Sequence, residues 1–103
     1  MVRFQRRVLV SGGKEREAMQ WATEICQYLQ KNYKGVSTVG AYVELFGKVG
    51  AIHWFADYEN LAALDAANVQ LMGDERYWER LTKANKAGLF IEGSGQDTLT
   101  QSL

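Results

Sequence analysis

Residues 39–56 read VGAYVELFGKVGAIHWFA, and this stretch decides the fold. The segment Gly47–Gly50 is a glycine-bounded turn between two runs that are rich in β-branched and aromatic residues. Such a pattern is typical of a β-hairpin. Successive side chains of a strand point to opposite faces, so the pairing of the two runs decides which chemistry each face carries.

The predicted register of the hairpin pairs Phe46 with Ala51 and therefore Glu44 with His53. One face is then uniformly apolar and suits a core: Val39, Ala41, Val43, Leu45, Ile52, Trp54 and Ala56. The other face is aromatic and carries the only histidine of the chain beside a carboxylate: Tyr42, Glu44, Phe46, His53 and Phe55. A slip of one residue would mix the two sets. The second face therefore indicates contact with a partner or a ligand.

The flanking segments add a strand and a helix before the hairpin and helical segments after it. Val2–Val10 alternates as a strand, with only Arg6 breaking the pattern, and Lys14–Tyr33 has the three- and four-residue apolar spacing of an amphipathic helix. Leu61–Leu71 carries a second apolar helical stripe, and Asp74 offers a cap for a further helical segment. One bent helix and two separate helices both fit this last region.

The last strand is predicted over Ala87–Glu92. The tail that follows, residues 93–103, is either flexible or an added edge strand over Thr98–Leu103, so we place one domain over residues 1–92. The order of elements predicts an α+β, ferredoxin-like βαββαβ fold with a four-stranded antiparallel sheet and both helical segments on one face.

The other face of this predicted sheet would be bare. It would carry Arg3, Gln5, Arg7, Leu9, Tyr42, Glu44, Phe46, His53, Phe55, Phe90 and Glu92. A patch with four large aromatic side chains on a small monomer is an association signal. Covering it with a second copy of the same sheet gives a homodimeric α+β barrel, and two-fold dimers are the commonest oligomers.

Composition narrows the class of protein. The 103 residues are 47% hydrophobic and 12% aromatic, which favours one folded domain over a disordered chain. Twelve basic and twelve acidic residues cancel, so we expect neither nucleic-acid nor membrane partners. The single Cys26 excludes an intramolecular disulfide, and one histidine with scattered carboxylates predicts no metal site and no cofactor. We see no apolar span and no signal peptide, so we expect a cytoplasmic location.

Two stretches carry a family resemblance. Residues 53–62, HWFADYENLA, run from a histidine-bearing aromatic strand into a helix, and residues 73–78, GDERYW, form an acidic and aromatic segment before a last helix. Over residues 1–92 the chain resembles the dimeric α+β barrel superfamily, most closely its small NIPSNAP-like and antibiotic-biosynthesis-monooxygenase-like domains. The resemblance implies a sheet-to-sheet dimer that encloses a cavity. For some members it implies cofactor-independent oxidation of polycyclic phenols or isomerisation of lactones.

His53 and Glu44 are the candidate catalytic residues. Histidine titrates near neutral pH, and a facing carboxylate would hold it in one tautomer as a proton shuttle. The alternative is a structural cross-strand pair at the dimer interface.

Arg3 and Arg7 are candidates for holding an anionic ligand, since a guanidinium offers a planar fork of donors. The alternative is that they pair with acidic groups such as Glu92, or with the partner chain. The candidate ligand-binding aromatics either wall a pocket or fill the dimer interface: Tyr42, Phe46, Phe55 and Phe90.

The interpretation that we favour is a non-catalytic homodimer that binds a metabolite or a partner protein. The alternative is a cofactor-independent monooxygenase or isomerase acting on a small aromatic or lactone-like molecule, with Arg7 holding an anionic oxygen. A cavity of several hundred Å³ beside His53 would favour the enzyme. An interface filled by side chains would favour the binding protein.

Overall fold

The architecture is a four-stranded antiparallel sheet with three helices, seen in a computed structural model that describes residues 1–45 and 50–103. Its strands are β1 (Val2–Leu9), β2 (Val36–Val43), β3 (Ala51–Tyr58) and β4 (Gln96–Gln101). Its helices are α1 (Glu15–Asn32), α2 (Leu61–Met72) and α3 (Glu75–Lys86). The spatial order β2-β3-β1-β4 confirms the predicted ferredoxin-like α+β fold. Within the described residues, no helix is both long and apolar enough to cross a membrane.

The hairpin of β2 and β3 has the predicted faces but not the predicted register. Tyr42, not Glu44, lies opposite His53, a shift of two residues. Such a shift keeps every side chain on its face because the alternation has a period of two. The prediction was wrong because β2 ends earlier than assumed: the Glu44 N–H donates to the Ala51 carbonyl, and Leu45, expected in the core, is 79% exposed. The turn itself, with Phe46, lies outside the described residues.

The fourth strand lies later in the chain than predicted. Residues 87–92 supply only a bridge between Phe90 and Val10, while β4 pairs with β1 along the sheet edge. The Arg6 guanidinium ties β1 to β4 by donating to both carboxylate oxygens of Asp97, at 2.7 and 2.9 Å. Every residue of β4 is exposed, so this polar edge strand lacks the apolar alternation that identifies a half-buried strand. The sheet therefore extends into the segment assigned to the tail.

The helices cover one face of the sheet. The apolar stripe of α1 faces the strands as predicted: Ala18, Trp21, Ala22, Ile25, Leu29 and Tyr33. Beneath the helices the buried side chains form two separate clusters. One is built around Tyr33 and Tyr58, and the other around Ala22 and Ile52.

The corner between α2 and α3 is fixed by one carboxylate. Two separate helices are present, and Asp74 caps α3 by accepting the Tyr77 N–H. Its oxygens also accept hydrogen bonds from the hydroxyls of Tyr28, at 2.7 Å, and Tyr33, at 2.8 Å, both on the α1 side. Burial raises the pKa of Asp74, but these hydrogen bonds outweigh it and hold the pKa below its usual value. The corner is thereby tied to α1.

Replacing Asp74 with Ala should destabilise the protein by about 2–3 kcal/mol, because one helix cap and the acceptor of two tyrosine hydroxyls are lost together. Since the folded pKa is lowered, this stabilisation is present at neutral pH and lost as the pH falls through that pKa. Denaturant unfolding at pH 7 measures the effect. Asp65→Ala, at an exposed position of α2, is the matched control. Equal losses in both variants would contradict the role of Asp74.

Candidate functional site

The helix-free face of the sheet, called here the open face, carries most of the predicted site residues. It brings together Arg3, Arg7, Tyr42, Glu44, His53 and Phe55. Arg7 donates to Glu44 Oε2 from Nη2 at 3.0 Å, and His53 Nε2 lies 3.7 Å from the same oxygen. That separation is longer than a hydrogen bond, so Glu44 binds Arg7 and does not fix the tautomer of His53. A catalytic role for His53 and Glu44 stays a prediction.

A second group on the open face is built around a buried carboxylate. Asp57 is 6% exposed and accepts from Arg3 at 2.7 and 2.9 Å. The Arg3 guanidinium also lies 4.5 Å from the ring centroid of Phe55, which stacks on Tyr42. The Phe55 ring lies over Gly40, where an added Cβ would come within 2.7 Å of it. Asp57 was not among the predicted site residues, although strand alternation places it on the face of His53 and Phe55.

Both predicted anion-binding arginines are thus paired within the chain. Hydrogen bonding to Arg3 lowers the pKa of Asp57 even though burial opposes the shift. An anionic ligand would have to compete with Asp57 for Arg3 and with Glu44 for Arg7. The ligand-binding role of the two arginines stays a prediction.

Phe90 does not lie on the open face, and its predicted position was wrong. Its ring is 5.5 Å from Trp21 and from Trp54 in edge contacts, on the helix side of the sheet. The error follows from the misplaced last strand, since residues 87–92 do not form the sheet edge. Phe46 lies outside the described residues, so its predicted site role has no structural test.

A cavity of about 810 Å³ lies between the sheet and the three helices and is called here the helix-side cavity. On the sheet, Phe4 lies opposite Ala56 and Arg6 lies opposite Trp54, and all four residues line it. The small side chain of Ala56 leaves room between the larger residues that flank it along β3. The cavity therefore lies on the face opposite to His53.

One wall of the helix-side cavity is aromatic. Trp21, Trp54 and Phe90 form a triangle with ring centroids 5.5–6.1 Å apart. The Trp21 Nε1 donates to the Arg80 carbonyl of α3, which anchors the wall. Among the described residues, Trp54 Nε1 is the buried side-chain nitrogen without a hydrogen-bond partner. Edge contacts of this kind make a rigid apolar surface suited to a planar molecule.

Polar groups line another part of the same cavity. They are the phenol of Tyr58, at the end of β3, the phenol of Tyr77, in the first turn of α3, and the ion pair of Arg6 with Asp97. Burial raises the pKa of Tyr58, and the nearby Tyr77 adds to the shift. Burial also raises the pKa of Tyr77, with Arg6 opposing and Asp97 reinforcing the shift. Both phenols therefore stay protonated and act as hydrogen-bond donors at neutral pH.

A second groove and the single cysteine are weaker candidates for a functional site than the helix-side cavity. A groove of about 770 Å³ on α2 and α3 is lined entirely by exposed residues, so it would remove little of a ligand from water. Cys26 lines the helix-side cavity, and burial raises the pKa of its thiol to about 11, which keeps it protonated. The described residues contain no group of three or more His, Cys, Asp or Glu placed to hold a metal ion.

The sheet order and the three helices on one face define a ferredoxin-like α+β domain. The chain belongs to DUF6039, a family of unknown function whose model matches residues 4–99. No curated protein matches the sequence.

Solved structures of similar fold confirm the resemblance. An uncharacterized NIPSNAP domain protein from Burkholderia xenovorans is 13% identical with a TM-score of 0.79, covering 100% of this chain and 95% of that chain. A putative antibiotic biosynthesis monooxygenase from Deinococcus radiodurans is 14% identical with a TM-score of 0.75, covering 100% and 93%. A NIPSNAP family protein from Agrobacterium tumefaciens is 16% identical with a TM-score of 0.77, covering 99% and 92%. At these identities the likeness shows the fold alone.

Replacing Arg3 with Ala should destabilise the protein at pH 7, because it leaves the buried Asp57 carboxylate without its donor. In the wild type the lowered pKa of Asp57 means that stability is lost on acidification through that pKa. In the Arg3→Ala variant the hydrogen bonds from Arg3 are gone, and burial raises the pKa of Asp57. Acidification therefore favours folding of the variant at this site. The stability difference between the two proteins should shrink from pH 7 to pH 3. Denaturant unfolding measures it, with the exposed Arg16→Ala as control; a pH-independent difference would contradict the assignment.

Proposed function

We propose that this protein binds an apolar small molecule, most favourably one with a planar ring, in the helix-side cavity. The observation that carries the proposal is the volume of about 810 Å³ between the sheet and the helices. Ligand pockets commonly have volumes of about 300–1,000 Å³ and mostly apolar walls with a few polar groups.

The lining supports the proposal in chemical detail. The aromatic wall of Trp21, Trp54 and Phe90 offers edges and faces for a ring, while Tyr58 and Tyr77 offer hydroxyl donors. Apolar surface gives affinity and a few polar groups give orientation. This arrangement suits the binding of a metabolite, the interpretation favoured from the sequence, at a different place from the one expected.

We also propose that the protein is a homodimer whose copies meet through their open faces. Tyr42 is 65% exposed there and stacks on Phe55, which leaves a large aromatic surface in water. The arginines of this face are paired with Asp57 and Glu44, so two copies can approach without strong repulsion between like charges. The predicted aromatic residues Tyr42 and Phe55 then contribute to an interface, with His53 beside them.

A second candidate function is a cofactor-independent monooxygenase or isomerase acting on a small aromatic or lactone-like molecule. It is supported by the similarity of fold to structures named as putative antibiotic biosynthesis monooxygenases and by the phenol donors in the cavity. His53 and Glu44 lie on the opposite face of the sheet, so residues of the cavity would have to contact the reacting atoms. Oxygen uptake with phenolic substrates, or ring isomerisation of lactones, tests this candidate directly.

Replacing Ala56 with Leu should fill part of the helix-side cavity and weaken binding of the neutral probe N-phenylnaphthylamine at least tenfold, because the larger side chain occupies the space of the ligand. Fluorescence titration measures binding, and thermal unfolding checks that the variant is folded. Ala66→Leu adds the same atoms at an exposed position of α2 and should leave binding unchanged. Equal affinity in all three proteins would contradict the site, and so would the absence of probe binding by the wild type.

Replacing Phe55 with Asp should raise the dissociation constant of the dimer at least a hundredfold, about 3 kcal/mol, because a second carboxylate would be buried in the interface beside an arginine that Asp57 already binds. Analytical ultracentrifugation at micromolar concentration measures the change. Val69→Asp introduces the same charge at an exposed apolar position of α2 and should leave the dimer intact. A folded wild type that sediments as a monomer would disprove the proposed dimer.

A further inference from the structure

The groove of about 770 Å³ along α3 and the corner before it, called here the α3 groove, is open rather than enclosed and so suits a protein surface more than a small molecule. It is lined by exposed residues only: Met72, Gly73, Glu75, Trp78, Glu79, Thr82, Lys83 and Lys86. Trp78 is 42% exposed, and its Nε1 donates to the Leu71 carbonyl at 3.0 Å, which holds the indole in place. Tryptophan is enriched among the residues that carry most of the binding energy of protein interfaces.

The charges of the α3 groove are separated along the helix. Glu75 and Glu79 lie in its first half, and Lys83 and Lys86 lie in its last turn. The two glutamates are four residues apart, and like charges at this spacing destabilise a helix. The helix dipole favours an acidic residue in the first turn, but Glu79 lies beyond that turn. Over residues 1–45 and 50–103, none of the four forms an ion pair within the chain.

This distribution of charge is complementary to its own reverse. Glu79 and Lys83 lie two residues before and after Leu81, while Glu75 and Lys86 lie six residues before it and five after it. When two copies of α3 pack antiparallel about a two-fold axis near Leu81, each glutamate therefore faces a lysine of the other copy. A two-fold interface contains every contact twice, so four pairs of opposite charge form. Parallel packing would instead place glutamate against glutamate and lysine against lysine.

We propose that a second copy of this chain docks on the α3 groove by antiparallel packing of α3 against α3, with Glu75 facing Lys86 and Glu79 facing Lys83 of the second copy. Exposed ion pairs contribute little individually, so the four pairs fix orientation and partner while Trp78 supplies apolar contact. The α3 groove lies on the side of the sheet that the helices cover, whereas the open face lies on the other side. One copy can use both surfaces at once, which gives an assembly larger than a dimer.

The test reverses the charges one half at a time in the full-length Phe55→Asp variant, which removes the proposed open-face interface. Sedimentation velocity at about 10 mM salt, where the Debye length is about 30 Å, should show reversible dimers of this parent that weaken at least tenfold at about 1 M salt. Glu75→Lys/Glu79→Lys and Lys83→Glu/Lys86→Glu should each self-associate at least tenfold more weakly than the parent. An equimolar mixture of the two should associate at least as tightly as the parent, because an acidic row then meets a basic one.

Two controls separate the proposed pairing from a general effect of charge or of folding. Glu17→Lys/Glu24→Lys makes the same change of charge at exposed positions of α1 and should leave the association unchanged. The same variants in the wild-type background should abolish species larger than a dimer, a readout that holds even where Phe55→Asp does not fold. Circular dichroism checks the fold of each variant.

Thr82→Cys tests the antiparallel geometry by a second route. Thr82 lies one residue from Leu81 and hence near the proposed axis in both copies, and Cys26 is buried away from an oxidant. Mild oxidation should link two copies of Thr82→Cys but not two copies of Thr23→Cys, whose cysteine lies at an exposed position of α1. A parent that stays monomeric up to about 1 mM, a mixture that associates no more tightly than its separate components, or equal cross-linking at positions 82 and 23 would overturn the proposal.

Discussion

The carboxylate of Asp74 holds the helices of this protein over its sheet. Asp74 lies at the corner between α2 and α3 and caps α3. It also accepts hydrogen bonds from the hydroxyls of Tyr28 and Tyr33, on the side of α1. Helix α1 is thereby joined to a corner that lies 41 to 46 residues later in the chain than Tyr33 and Tyr28. The helix-side cavity depends on this junction, because its roof is made by helices that meet there while its floor is made by the sheet.

The two faces of the sheet carry different kinds of side chain, because alternate residues of each strand point to opposite faces. On the open face, arginines and carboxylates neutralise one another around Phe55 and Tyr42. On the helix side, the same strands present Phe4, Ala56 and Trp54 to the cavity. Association through the open face and ligand binding are therefore assigned to opposite faces. A substitution on one face need not disturb the other, and the proposed dimer and the proposed binding site are separable by mutation.

The elements and faces of the fold were predictable because they rest on periodicity, which a two-residue error in register does not disturb. The pairing of Tyr42 with His53 was not predictable, since it depends on where β2 ends and not on hydrophobic pattern. The edge strand Gln96–Gln101 overlaps the edge strand given as an alternative over Thr98–Leu103, but it has no buried face and hence no pattern that would have favoured it over Ala87–Glu92. The cavity left no signal either, because its lining comes from residues of the sheet and of all three helices that are far apart in sequence. Of the predicted site residues, Tyr42, Glu44, His53 and Phe55 lie on the predicted face, whereas Phe90 moved with its misplaced strand.

The position of β1 at the centre of the sheet has a consequence for synthesis of the chain. Its ion pairs join residues 54 and 91 positions apart, Arg3 to Asp57 and Arg6 to Asp97. β1 leaves the ribosome before both of its neighbours in the sheet, and such distant pairings slow folding. Once β3 has paired with it, β1 keeps one unpaired edge until β4 arrives, and an unpaired strand edge is a usual starting point for aggregation. Arg3, Arg6 and Arg7 place like charges along it, so a nascent strand repels its copies until the acidic partners arrive.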